Sequence, residues 1–472
     1  MAVRHFCLDI ETEGLVHIGN GNQYGKKDYF ASKDKIAILD VRKFTSRLNA
    51  GQVERYCAFL EGKAEAKDLQ SFLDKNQELK KIALQSIAYL VNSPLAKARR
   101  GSIQYHDVWE FVKDPYGKPY IPGSSVKGML RTVILLSLLL KDDSFKSLTD
   151  ATVENASSNR NIAKRADRQI VKKAFSKKLN GFADADEINI MKYISVADSN
   201  PLSTDDLVFA KKYDQFSKND PADHKLVMGK LTVQEGNELS IYRECLRPGT
   251  KISVEIAIDD RINSYLGEFT FDAQGMQAML QKWFDFYSKC FLNSFEEDTE
   301  STQDPSGSPA DKRCNYIIQA GPMAGTRCRN NAINNTGYCR LHQDEMNKQQ
   351  ASSKITCYLG GGVDFVSKTV VGALFNSDEK RLEVISRILY SQFPTKVDPA
   401  VYPLLMGKVN QAGFTPKSMN AKYRGKHLKK GKEDHRHWRD QELGVSPHTM
   451  KYGLVGKKKY PMGKCNVSIR EI

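Results

Sequence analysis

Apolar and polar positions alternate with a period of two at the start of the chain, where Phe6, Leu8 and Ile10 interleave with Cys7 and Asp9. That pattern predicts a strand with one buried face. Gly14, Gly19 and Gly21 then punctuate a loop containing LVHIGNG (15–21), and a second strand is expected over 35–41. Leu69, Phe72, Leu73, Leu79, Ile82, Ile87 and Leu90 fall near helical spacing and predict helix that ends before Pro94. The run YIPGSSVKGMLRTVILLSLLL reads as a turn entering a strongly apolar helix. Over 251–259, Ile252, Val254, Ile256 and Ile258 alternate cleanly, so this segment is a half-buried strand. Met276, Met279, Leu280, Trp283, Tyr287 and Cys290 form a helical stripe read as core packing. Leu382, Ile385, Ile388, Leu389 and Phe393 form another.

The pattern breaks at Asn293. Residues 294–312 are acidic, Ser/Pro-rich and almost without apolar side chains, so they cannot bury enough surface to order themselves. Folded patterning resumes at Ile355, which makes 293–352 an insertion with a small folded unit of its own. Strands interleaved with single helices, twice over, predict an α+β protein of two units. A doubly wound dinucleotide fold is disfavoured, because no Gly-rich turn joins the first strand tightly to a helix.

Charge sharpens this outline. The 472 residues carry a net charge of +15, concentrated in two blocks. Residues 417–464 hold 14 Lys/Arg against 4 acids, and residues 160–178 hold 8 against Asp167 alone. The rest of the chain is close to neutral. Basic blocks on a neutral body suit a polyanion such as nucleic acid, with a solvated surface or disordered arm as the other reading. The first residues carry no long apolar core or cleavage pattern, and the longest apolar run, 133–140, is short for a membrane span. Nine scattered Cys form no disulfide framework, so a cytoplasmic protein is expected.

Several motifs carry chemistry. In 120–131, Pro122 and Gly123 set a turn, and Ser124 or Ser125 is placed to cap the helix, whose N-terminus would seat a phosphate. Gly128 lies one turn on, and Lys127 and Arg131 would share a helix face and add charge. The spacing is not that of a P-loop, and a capped helix start also occurs for structure alone. Gly360, Gly361 and Gly362 let backbone approach a ligand, with Lys368 in reach of a phosphate; a hairpin or bulge would need the same glycines. In the tail, Lys451 and neighbouring lysines would contact phosphates, with Tyr452, Tyr460 and Trp438 available to stack on bases. His435, His437 and His448 sit among cations with no carboxylate spacing that supports a metal site.

The Cys cluster is a different case. Cys314, Cys328, Cys339 and His342 read C-x13-C-x10-C-x2-H in an otherwise coreless segment, the ligand set of a closed structural zinc site. Four unrelated residues in a flexible insertion is the other reading. The segment also resembles short CCCH modules, through GTRC (325–328) and GYCRLH (337–342).

Six motifs in this order, LVHIGNG, YIPGSSVKGMLRT, YRECLRPGT (242–250), LGGGVDFVSKT (359–369), SPHTMKYG (446–453) and YPMGKC (460–465), resemble one family. It is the fifth-subunit family of the type III-A CRISPR (Csm) effector complex, within the RAMP superfamily. The insertion and part of 417–445 fall outside the likeness. The resemblance implies two tandem ferredoxin-like (RRM-like) RAMP domains: 1–265, with a basic variable segment near 155–220, and 266–292 joined to 353–472, the insertion 293–352 carrying zinc. It implies a non-catalytic subunit that binds the guide RNA (crRNA), caps the filament at its 3′ end and supports its maturation. Neighbouring RAMP backbone subunits, the small helical subunit, target RNA and recruited host nucleases would be partners. His17, Gly19, Gly21, Gly123, Ser124, Ser125, Lys127, Gly128, Arg131, Gly360, Gly361, Gly362, Lys368, His448 and Lys451 would then line the guide, with 160–178 along the guide–target duplex. The alternative is a metal-independent RAMP endoribonuclease that cuts precursor RNA, with His17 as its acid/base.

Overall fold

The structure, a computed structural model, describes residues 2–32, 35–93, 105–141, 188–219, 236–263, 270–295, 354–360, 372–375, 377–392 and 440–472. It also describes 176–177, 225–227, 230–232, Thr326, Cys328, Asn330 and Cys339.

The first nine strands are β1 (Val3–Thr12), β2 (Gly19–Tyr24), β3 (Tyr29–Ser32), β4 (Lys35–Leu39), β5 (Ile87–Val91), β6 (Val108–Phe111), β7 (Ser176–Lys177), β8 (Ile188–Asn189) and β9 (Ile194–Val196). The rest are β10 (Leu207–Phe216), β11 (Lys225–Val227), β12 (Lys230–Thr232), β13 (Gly236–Leu246), β14 (Lys251–Asp259), β15 (Ile355–Tyr358), β16 (Thr449–Val455), β17 (Lys458–Pro461) and β18 (Lys464–Glu471). The helices are α1 (Val41–Thr45), α2 (Ala50–Leu60), α3 (Leu69–Lys75), α4 (Gln77–Leu84), α5 (Gly123–Lys141), α6 (Ala273–Cys290), α7 (Asp378–Gln392) and α8 (Asp440–Leu443).

A five-stranded sheet runs in the order β15-β18-β1-β14-β9, with β1 antiparallel to both β14 and β18. Followed along the chain, β1, α5, β9, β14, α6 and β18 trace a β-α-β-β-α-β circuit. Period-two alternation puts Phe6, Leu8 and Ile10 of β1, the four expected residues of β14, and Cys465, Val467 and Ile469 of β18 in one core. Val126, Leu130, Val133 and Ile134 of α5 cover it, with Met276, Met279, Leu280, Trp283 and Tyr287 of α6. Asp272 starts α6 by accepting from Gly275 N at 2.7 Å. Residues 123–140 are apolar and long enough to span a membrane, but half of that stretch is buried inside the protein.

A six-stranded sheet follows the order β17-β16-β10-β13-β6-β2, and β3-β4-β5 form a third that packs with α1–α4 around Phe30, Phe44, Tyr56, Phe59 and Phe72. Both large sheets draw strands from either side of residue 265.

Two readings of the pattern change. The stripe over 69–90 is not one run of helix: α3 stops at Asn76, whose backbone lies at φ −128° and ψ 78° and whose side chain donates to Phe72 O at 2.7 Å. After α4, Ile87 pairs with Leu39 and Leu90 with Ala37, so strand pairing overrides the helical spacing. The tail, expected to supply charge and stacking rings, also supplies β16, β17 and β18. Tyr452 and Tyr460, expected to stack on bases, are partly buried against the cores instead.

Candidate nucleic-acid interface

The LVHIGNG loop is threaded through the other glycine motifs by its backbone. Leu15 N donates to Pro461 O at 3.0 Å, and Gly463 N donates back to Leu15 O at 2.7 Å. Val16 and Leu246 exchange both backbone bonds, at 3.2 and 2.8 Å, and Val112 N donates to Ile18 O at 2.8 Å. Leu359 N reaches Gly463 O at 2.8 Å, which brings in the start of the triple-glycine motif. Gly360 sits at φ +74°, and a Cβ there would stand 2.4 Å from His17 O. Only glycine permits both the conformation and the approach. Gly453 of the SPHTMKYG motif packs on the Leu15 side chain, whose Cδ1 would have to shift to admit a Cβ 2.5 Å away. Five of the six motifs therefore meet around residues 15–18.

His17 does not face a ligand. It is 7% exposed, and its Nδ1 lies 2.7 Å from the Glu244 carbonyl oxygen. Burial pushes its pKa down to about 4, and the positive Arg243 and Lys113 push the same way against the carbonyl hydrogen bond. It is a neutral ring that ties the loop to β13. This corrects its expected place against the guide and leaves it poorly suited to the acid/base role.

Beneath the loop lies a polar cluster that sequence reasoning missed. The Glu244 carboxylate is fully buried; it accepts from Lys113 Nζ at 2.5 Å, Tyr89 OH at 2.7 Å and Phe111 N at 3.0 Å. Tyr24 OH lies 3.0 Å from Tyr89 OH and donates to Glu110 at 2.6 Å, and Lys113 lies over both Tyr rings. Burial, reinforced by the negative Glu244, raises both phenols far above their ordinary range, so they remain donors. Burial works to raise Glu110, but hydrogen bonds from Asn20 and Tyr24 and the Lys113 charge overcome it and hold it below the usual range. Glu244 stood inside a quoted motif, yet nothing local to the sequence pairs it with Lys113.

This cluster carries β2, the edge strand of the six-stranded sheet. Gly19 pairs with Phe111 and Gln23 with Trp109, so three residues of β2 oppose one of β6 and the strand bulges outward. Residues 19–23 are all exposed. Gly21, at φ +92°, has open space where a Cβ would lie. Asn20 and Asn22, also missed, put amide groups on this edge; Asn20 donates to Glu110 at 2.9 Å and accepts from Asn22 N at 2.9 Å. Among the described residues no strand pairs with the outer side of β2, and such a glycine-bearing edge offers backbone N–H and C=O groups to a ligand.

The 120–131 motif stands apart. Gly123 opens α5 and donates its N–H to Asp198 Oδ1 at 2.7 Å; a Cβ on it would meet Val196 O at 2.3 Å. Ser124 and Ser125 lie inside the first turn rather than before it, and a carboxylate of the chain itself already occupies a helix-end donor. Both findings correct the expected cap and phosphate seat. This helix end abuts β9, whereas Gly360 follows β15 at the opposite edge; four strand spacings make that about 19 Å across the sheet. The two motifs do not share one pocket. Ser124 and Gly128 are exposed, and Ser125, Lys127 and Arg131 are partly so.

His448 is buried, with Nδ1 2.6 Å from Asp440 Oδ1, and Ser446 Oγ donates to the other oxygen of Asp440 at 2.6 Å. It locks the start of β16 instead of meeting a phosphate. Lys451 lies within β16, partly exposed, opposite Asp214 on β10. Gly361, Gly362, Lys368, Cys314, His342 and most of the two basic blocks lie outside the described residues. Cys328 and Cys339 are both buried, with sulfurs 3.9 Å apart, and Asn330 Nδ2 lies 3.8 Å from Cys339 Sγ. Two sulfurs sharing one tetrahedral zinc at about 2.3 Å would stand about 3.8 Å apart, so the pair fits that ion.

Comparison with known proteins agrees with the motifs. The chain is 26% identical over 272 residues to a Mycobacterium tuberculosis protein named CRISPR system Cms protein Csm5, spanning 54% of this chain and 67% of that one. A Streptococcus thermophilus protein of the same name is 27% identical over 306 residues, 62% of this chain and 74% of that one. Among solved structures, a chain of a Csm-crRNA-target RNA ternary complex overlays with a TM-score of 0.49 at 17% identity, covering 99% of this chain and 100% of that one. A crystal structure of T. onnurineus Csm5 gives 0.45 at 14%, covering 97% and 99%. These overlays are too loose to carry an assignment. The sequence profile of the RAMP superfamily, however, matches residues 9–302, and with its mixed α+β sheets the chain belongs to that superfamily.

Proposed function

We propose that this chain is a guide-RNA-binding subunit of a type III-A CRISPR (Csm) effector complex, capping the filament at the 3′ end of the crRNA. The observation that carries this is the convergence of five glycine motifs on residues 15–18, beside an exposed, bulged β2 edge. Its similarity to proteins named Csm5 supports the choice of complex. Backbone groups on such an edge bind phosphate and sugar without reading bases, which suits a subunit that must accept any guide sequence.

In this reading the subunit works in the cytoplasm on crRNA and target RNA, against neighbouring RAMP backbone subunits and the small helical subunit, and host nucleases complete the guide. It adopts tandem ferredoxin-like units; the β1-α5-β9-β14-α6-β18 circuit supports one such unit, built from segments on both sides of residue 265. Cys314, Cys328, Cys339 and His342 hold a structural zinc, favoured by the 3.9 Å Cys328–Cys339 pair. The role is non-catalytic. The endoribonuclease alternative relied on His17, which is neutral and buried.

The test is assembly of the complex with Lys127→Ala and Arg131→Ala together. Loss of mature guide is expected, and unchanged guide length and occupancy would remove the motif from the interface. Specific cleavage of precursor RNA by the purified chain in EDTA, abolished by His17→Ala, would favour the enzyme.

A further inference from the structure

Between Val112, bonded to the first glycine loop, and Gly123, at the start of α5, the chain makes a tight hairpin. Gly117 N donates to Asp114 O at 2.9 Å, Asp114 N donates to Lys118 O at 2.9 Å, and Lys113 bridges to Pro119. The Asp114 carboxylate accepts from Tyr116 N at 2.9 Å and from Lys118 N at 2.8 Å, and Gly117 lies at φ +80°. Asp first, Pro115 second and glycine last match a type I turn closed by a glycine bulge. Those three residues specify the turn. The position of Tyr116 demands nothing of its side chain, and turn chemistry would favour a small polar residue there.

Tyr116 is nevertheless an aromatic, and it is 89% exposed. Among the described residues the other exposed large apolar side chains reach at most 55%, at Val3 and Ile472 near the chain ends. The ring thus contributes almost no burial to the fold, yet it stands on a rigid base. Pro119 O accepts from Leu202 N at 2.7 Å, and Ile121 bonds Ser199 at both its N–H and its carbonyl. The hairpin stands in the segment that links β6, the partner of β2, to the α5 start, and Lys118, two residues on from Tyr116, is also exposed.

We propose that Tyr116 is a stacking platform for an unpaired base of the guide RNA, with Lys118 beside it for the adjoining phosphate. A tyrosine on an anchored turn has only two side-chain torsions to lose on binding, and stacking accepts any base, as a sequence-tolerant subunit requires. The proposal rests on the guide-binding reading and adds a contact made by a side chain rather than backbone.

The test is a reconstituted complex whose guide carries 2-aminopurine at successive positions of its 3′ segment. In the wild type one position should be strongly quenched. Tyr116→Ala should restore its fluorescence and weaken retention of that segment about tenfold, while Tyr116→Trp should keep the position quenched and the segment retained. Because the turn does not depend on Tyr116, Tyr116→Ala should fold and assemble normally. Identical fluorescence in wild type and Tyr116→Ala at every position, with the guide bound, overturns the stacking proposal alone. Failure of the wild-type complex to retain guide at this subunit overturns the guide-binding reading as well.

Discussion

Gly360 and His17 meet backbone to backbone, so closely that a methyl group on the glycine would lie 2.4 Å from the His17 carbonyl oxygen. Gly360→Ala therefore adds a clash with fixed backbone to the cost of a left-handed conformation, itself about 1–2 kcal/mol. Gly21→Ala bears the conformational cost alone, because its surroundings are open. Chemical denaturation should show Gly360→Ala losing clearly more than Gly21→Ala. Equal losses would contradict the close approach.

Glu244 and Lys113 form a pair with side chains 0% and 7% exposed. Removing Glu244 leaves Lys113 only its longer carboxylate contact, to Glu110 at 3.4 Å, and leaves Phe111 N and Tyr89 OH without their acceptor. Glu244→Ala should cost about 3–5 kcal/mol, and Glu244→Gln less, since the amide oxygen still accepts from Tyr89 or Phe111. A loss below about 1 kcal/mol in Glu244→Ala, the size of an exposed pair, would show that the cluster is open to water.

His17 links stability to acid. Its folded pKa of about 4 lies below the ordinary value near 6.5, so between those values the unfolded chain binds a proton that the folded chain refuses. Stability therefore falls as pH falls through this window. Between pH 6.5 and 5 the contribution is about 1.6 kcal/mol, because the slope reaches about 1.36 kcal/mol per pH unit only once the unfolded ring is mostly protonated. Denaturation at both pH values should show a loss in wild type that shrinks by that amount in His17→Asn. The same loss in both proteins would place the ring in solvent.

The Cys328–Cys339 pair makes zinc testable directly. Purified chain should carry about one equivalent of zinc, and Cys328→Ser should lose it while β1 and β14 keep their protection against hydrogen exchange. Clearly less than one equivalent, with metal loss during purification excluded, would refute the site.

How far the sequence foretold this depends on the range of the interaction. Alternation over 6–10 and 252–258 and the stripe from Met276 to Tyr287 name their buried faces correctly, because a single element determines each. Cys465, Val467 and Ile469 alternate just as clearly, but lysines at 457–459 and 464 mask the strand signal with charge. Other features depend on pairs distant in sequence. Glu244 finds Lys113 across 131 positions, and Gly123 finds Asp198 across 75. No local period reports such contacts. His17 follows the same rule: a histidine in a glycine loop looks like a ligand contact until the Glu244 carbonyl, 227 positions away, is found behind it.

The most direct test of the central claim is to find where the guide's 3′ end lies in the assembled complex. Photo-crosslinking with 4-thiouridine near the 3′ end of the crRNA, read by mass spectrometry, resolves the contacts by residue. Crosslinks to this chain within 18–23 and 112–131 are the predicted result. A 3′ end that crosslinks only to other subunits, in a complex that contains this chain, would contradict the account.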